Sequence, residues 1–191
     1  MRKIITNILM VSAFLVAGNL MNSCSKVEDL IEDISIPIPF SVPVSFDAEI
    51  PLATANTTDY VTYPEIPLNL DLDAKIKEQY PSLSINNLKS VKLASFNIQY
   101  VSSTGGVKLD AIKNAEIYIK TPSLERKLIA KVTDNLNETI LSFTPETTDN
   151  ELLQFLKSPQ NSLILRIQGS KVAADLMKVK IDTSFKLEVG L

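Results

Sequence analysis

The chain contains no histidine, no tryptophan, one cysteine and only five glycines in 191 residues. Each absence removes a class of chemistry. Without histidine there is no Ser-His-Asp machinery, no haem His ligand and no zinc site built on His and Cys. With one cysteine, Cys24, no disulfide can form within the chain. Without tryptophan the side chain best suited to sugar stacking is missing. G-x-S-x-G, S-x-x-K, P-loop and G-x-G-x-x-G patterns are also absent after residue 23. A catalytic site would have to rest on carboxylates, lysine, tyrosine or hydroxyls. The expectation is that the chain is not an enzyme and carries no metal or cofactor.

What is present is globular composition: 45% apolar and 21% charged residues, with ten prolines. The length fits one domain. Met1-Arg2-Lys3 is a short basic start, and Ile8 to Ala17 is the strongest apolar run. A run of that length matches the apolar region of a secretory signal and is short for a membrane span of roughly 20 residues. It ends in Leu20-Met-Asn-Ser-Cys24, a small residue directly before the cysteine.

Leu20-x-x-Ser-Cys24, followed by Ser25, resembles the relaxed processing site of Bacteroidota lipoproteins, although Met21 and Asn22 depart from the strict motif. The resemblance implies a signal peptide over 1–23, cleavage before Cys24, and acylation of the Cys24 thiol and amine. It also implies location at the outer membrane, on the periplasmic face or the cell surface. Lys26-Val-Glu-Asp29 is similar to the acidic export signals of surface-exposed members, but Val27 interrupts it. An ordinary secreted protein would instead carry an odd, reactive thiol in an oxidising compartment. Without Arg2 and Lys3, 17 basic residues face 22 acidic ones, a net charge of −5. Such a domain is not steered towards nucleic acid. Lys178 and Lys180 alternate with apolar residues, which marks a solvated strand face.

Residues 24–34 read as an acidic tether. Val27, Leu30, Ile31 and Ile34 are spaced as one helical stripe, opposite Glu28, Asp29, Glu32 and Asp33. From 35 to 191 the chain reads as a single all-β domain, an antiparallel two-sheet β-sandwich, immunoglobulin-like or related, with one or two short helices. From Ile34 to Leu52 every even residue is apolar, and Pro37, Pro39, Pro43 and Pro51 are all odd. Proline cannot donate to a ladder, and N–H groups alternate sides along a strand, so all four missing donors fall on one side. This predicts an edge strand, broken once, whose prolines block strand addition. Met177 to Val189 repeats the period in the opposite parity and predicts a long strand with one wet face.

Shorter strands are expected at Ile66–Leu72, Val91–Tyr100 with a bulge near Ala94, Ala115–Ile119, Leu128–Val132, Thr139–Phe143 and Leu163–Ile167. A hairpin-type turn is expected at Ser102–Gly106. Helices are expected over Asp73–Tyr80, with Asp73 as a good cap, and after the capping box Thr148-Asp-Asn-Glu151, closing one end of the sandwich.

The best carboxylate pair is Asp71 and Asp73. On one strand face it would suit a hydrolase or calcium; as a solvated edge leading into a helix it is structural. Tyr60 and Tyr63 cluster in a Thr/Pro-rich loop and form a candidate ligand platform, with half-buried packing as the plainer alternative. Two functions remain. One is a non-enzymatic structural or interaction module of the envelope with a protein partner. The other is a lipoprotein that captures glycan or lipid for a membrane partner.

Overall fold

The computed structural model describes residues 35–52, 58–68, 70–148, 151–171 and 174–190, with backbone alone for 35–40. Cys24, the signal segment and the tether lie outside the described residues. The strands are β1 (Ser35–Pro51), β2 (Val61–Thr62), β3 (Ile66–Pro67), β4 (Leu88–Ser103), β5 (Ile112–Lys120), β6 (Lys127–Val132), β7 (Ile140–Pro145), β8 (Ser162–Gly169) and β9 (Leu176–Gly190). Two helices, α1 (Leu72–Gln79) and α2 (Leu153–Lys157), interrupt them.

All described pairings are antiparallel, in the order β1-β9-β4-β7-β6-β5-β8-β2, with β3 also on β8. The all-β antiparallel expectation is met. The strands form one strongly curled sheet. Its halves join through a short pairing, Ala130 with Pro145 and Lys131 with Thr144. Curling brings Phe96, Ile98 and Phe185 of one half into the same apolar core as Ile112, Ile117 and Leu165 of the other.

β1 is an edge strand, as its prolines require. Pro37, Pro43 and Pro51 stand opposite Glu188, Ser184 and Leu176. Between Pro37 and Ser41 β1 advances four residues while β9 advances two. An extra length of two preserves parity, so the same face stays inward and the prolines stay on one side. Val42, Ile50 and Leu52 are buried, while Ser41, Pro43, Asp47 and Glu49 are exposed. On β9, Met177, Val179, Ile181, Thr183, Phe185, Leu187 and Val189 are all buried.

β4 lies between β9 and β7 and slips register against β9 at Leu88/Ser90, Leu93/Ser95 and Tyr100/Ser102. The middle slip falls at Ala94, where the apolar parity changes. Three bulges bend β4 and increase its twist, which contributes to the curl.

Four local expectations change. Ile66–Leu72 is strand only at Ile66–Pro67, although Leu68, Leu70 and Leu72 are buried in alternation. β3 meets β8 at Leu163 and Ser162, where β8 begins, and Asp71 then turns left-handed at φ 40°. Asp71, not Asp73, caps α1, accepting from the Ala74 N–H at 3.3 Å. The Ser102–Gly106 turn is not a hairpin, because β4 and β5 are not neighbours; it crosses from one half of the sheet to the other. Before α2, Thr148 N–H donates to Glu151 at 2.8 Å, one half of a capping box, but the helix opens at Leu153 without a side-chain cap. α2 packs against β4.

Candidate functional site

Outward residues of β5 and β8 place charged and aromatic side chains side by side. Glu116 faces Arg166, and Tyr118 lies one outward step further along β5. Arg166 Nη1 donates to Glu116 Oε2 at 2.7 Å and to the Tyr118 hydroxyl at 3.1 Å. The Tyr118 hydroxyl donates to the same Glu116 oxygen at 2.9 Å, closing a triangle. The Arg166 guanidinium also lies 5.0 Å from the Tyr60 ring centre and 5.8 Å from that of Tyr118. Arg126 lies 5.0 Å from the Tyr118 ring centre. Such contacts contribute roughly 0.5–1 kcal/mol each at exposed sites and more when desolvated.

Tyr60 therefore belongs to a ladder of alternating cations and rings. Partial burial, then Glu116, raises its pKa. Burial opposes the Arg166 charge, but the Tyr118 hydrogen bond and Glu116 outweigh it and raise the pKa. Arg166 and Tyr118 both donate to the same Glu116 oxygen, Oε2. At the outer end, Arg126 makes no ion pair among the described residues.

Tyr63 leaves this surface altogether. It is 7% exposed, its N–H donates to the Leu165 carbonyl at 2.8 Å, and its ring joins the core. Its hydroxyl is buried without a hydrogen-bond partner among the described residues, and burial raises its pKa. The two-tyrosine platform is thus corrected to one exposed ring and one core ring. Alternation explains the split: Tyr63 follows β2 and turns its ring to the core side of the sheet, whereas Tyr60 precedes β2 and reaches over the outer face.

The Asp71/Asp73 pair is structural as well. Asp71 caps α1; Asp73 pairs with Lys77 at 2.6 Å and accepts from the Ile85 N–H at 2.9 Å. Those bonds lower the Asp73 pKa, Lys77 first and Ile85 next. Among the described residues no three His, Cys, Asp or Glu side chains gather as a metal site.

A groove runs beside the end of β5 and the start of β8, between the segments that lead into α1 and out of α2. Its two lobes, about 360 and 400 Å³, share Leu68, Pro159 and Asn161. Glu65, Lys120 and Pro122 complete the first lobe; Ile85, Leu156 and Lys157 line the second. These volumes lie in the range of small-ligand sites. Neither Tyr60 nor Tyr63 lines it.

The sequence reading missed Arg166, Glu116, Tyr118 and Arg126. Their outward parity is visible in the sequence, but their meeting depends on the β5–β8 register. No family model matches the chain, and no curated protein matches it.

Proposed function

We propose that this chain is a lipid-anchored, non-enzymatic structural and interaction module of a bacterial outer membrane of the Bacteroidota type, one component of an envelope assembly. Cys24 is the acylated residue and residues 24–34 are the tether. The observation that best supports this is the place of β1. It follows the tether directly and runs as an edge strand against β9 from Ser35–Gly190 to Pro51–Leu176. Load on the anchor would enter a long ladder along its axis, where many hydrogen bonds share it. The carboxylates with perturbed acidity, Glu65, Asp73, Glu151 and Asp175, are tied into ion pairs and turns, which suits a scaffold better than a catalyst.

The test is membrane fractionation of cells expressing Cys24→Ala. Release of the protein to the soluble fraction supports the anchor; unchanged membrane association defeats it. Crosslinking in membranes followed by purification should then recover a defined envelope protein.

A second reading, capture of a glycan or lipid, draws support from the two-lobed groove. It predicts that the purified protein retains such a ligand, and that Asn161→Leu, in the wall shared by both lobes, lowers retention.

A further inference from the structure

The groove beside the end of β5 and the start of β8 holds an unmet hydrogen-bond acceptor. Asn161 stands in the wall that both lobes share. Its Nδ2 donates to the Phe155 and Ser158 carbonyls at 3.4 and 3.2 Å, which fixes Oδ1 as the other end of the amide. Oδ1 is buried without a partner among the described residues, an arrangement that costs stability. Both Nδ2 bonds are long, so a small turn of the amide presents Oδ1 to a donor lying in the groove. The hydroxyls of the lining are already engaged. Ser162 donates to Glu65 at 2.8 Å, and Thr121 accepts from the Leu124 N–H at 3.0 Å. Ser158 donates to the Gln160 carbonyl at 2.9 Å and accepts from its N–H at 3.3 Å.

Charge around the groove is balanced. Glu65 pairs with Lys120 and Asp73 with Lys77, both at 2.6 Å, while Asp71 and Lys157 stand on the second lobe with opposite signs. The apolar lining of that lobe comes from Leu68, Leu70, Ile85 and Leu156. The first lobe is continuous with the outer face of the sheet. Ser162 and Lys120 stand opposite each other, one outward step from Ile164 and Tyr118 and two from Arg166 and Glu116. Two such steps are about 13 Å. Ile164 is buried on this face and is not part of the core. Tyrosine and arginine are the side chains enriched where interfaces concentrate their energy. Arg166 is held in place by Glu116 and Tyr118, so a partner meets it already ordered.

We infer that the groove and the adjoining Tyr118–Arg166 surface bind one extended, uncharged segment of a partner polypeptide. An aliphatic side chain of that segment enters the second lobe, and a backbone N–H donates to Asn161 Oδ1. The inference rests on the interaction-module reading and gives that module a contact surface and its partner a chemistry. A peptide supplies one N–H per residue beside an apolar side chain, which matches one unmet acceptor beside an apolar lobe. A sugar ring carries several hydroxyls, and the lining offers them neither a free hydroxyl nor an aromatic ring. An acyl chain would lie against the exposed Glu65–Lys120 pair in the first lobe. A polyanion meets no net positive charge. Seven extended residues span roughly 23 Å, enough to reach from the Arg166 row into the groove.

The test selects from a library of seven-residue peptides displayed on phage, against the processed chain carrying Cys24→Ser. Selected sequences should share an aliphatic residue flanked by uncharged ones. A synthetic copy of a selected peptide is then titrated and read by fluorescence anisotropy. It should bind roughly five-fold more weakly to Asn161→Leu, which loses one hydrogen bond. It should bind at least about ten-fold more weakly to Gln160→Trp, because Gln160 is exposed and its replacement fills the first lobe. Val101→Trp, at a 57% exposed position in the other half of the sheet, should bind as the wild type does. Wild-type affinity in Gln160→Trp or in Asn161→Leu overturns the proposal. Absence of any enrichment also overturns it and leaves the groove to glycan or lipid. Membrane crosslinking separates this result from the reading beneath it. An envelope protein recovered equally with wild type and Gln160→Trp sinks the groove and keeps the module. Recovery of none with either chain defeats the module itself.

Discussion

Asp175 shows how much one residue can organise. It sits just before β9 and is 7% exposed. The Thr104 hydroxyl donates to its carboxylate at 2.5 Å, and the backbone N–H groups of Gly105, Val107 and Leu176 donate at 2.8, 3.0 and 2.7 Å. The Thr104 bond first, and the three N–H bonds after it, hold the carboxyl well below the usual carboxylate range. The glycines of this turn have separate reasons. A Cβ on Gly105 would meet Asp175 at 3.2 Å, and Gly106 has φ +78°. The Asp175→Asn substitution removes the charge and turns an amide N–H₂ towards N–H donors. It should lower Tm by several degrees at neutral pH. The sign of the pH dependence follows from the depressed folded pKa. The stabilisation is full above the unfolded value near 3.8 and is lost as pH falls towards the folded value. Glu151 behaves alike: Lys127 and the Thr148 N–H hold it at about 2 against an ordinary 4.5. Thermal melts should therefore show the gap between wild type and Asp175→Asn narrowing below about pH 4. A gap that widened on acidification would contradict the carboxylate cradle. Tyr63 gives the opposite expectation. Its hydroxyl is buried without a partner, so Tyr63→Phe should be neutral or stabilising by up to about 1 kcal/mol in urea unfolding.

At the scale of elements, both ends of the sheet order are guarded by proline. β1 carries Pro37, Pro43 and Pro51 at positions paired with β9. On the opposite edge, Pro64 separates β2 from β3 and Pro67 pairs with Ser162. Restoring donors to β1 with Pro43→Thr and Pro51→Thr should leave stability within about 0.5 kcal/mol but open the edge. Sedimentation should then show concentration-dependent self-association absent from the wild type; a monomeric double variant would deny the prolines this role. The parity that carries this argument is local, which is why β1, β9 and the Ala94 bulge were legible in the sequence. Their faces are set by period two, and no distant partner is needed to see them. The Ser102–Gly106 turn is the complementary case. Its glycines have a hairpin's composition, but the group that shapes them is Asp175, about 70 residues away. Tyr60 and Tyr63 are close in sequence. Only the β8 register shows that one faces the core and the other faces Arg166.

At the scale of the whole molecule, the ladder and the core connect the strands differently. Among the described residues, strand pairing between the halves is the short β6–β7 register, whereas the apolar core is continuous across both. Phe185, 1% exposed, lies on β9 between β1 and β4, far along the sheet order from β5. If pairing held the halves together, damage at Phe185 would loosen β1, β9 and β4 and leave β5 and β8 protected. If the shared core holds them, removing that ring should weaken every strand together. Phe185→Ala should cost roughly 3–5 kcal/mol, the range for deleting a buried aromatic ring. Amide hydrogen exchange distinguishes the two cases. Amides of β5, such as those at Ile117 and Ile119, should lose the same opening free energy as the variant loses globally. β5 protection that survived the substitution would show two separable halves and a sheet held mainly by its ladders.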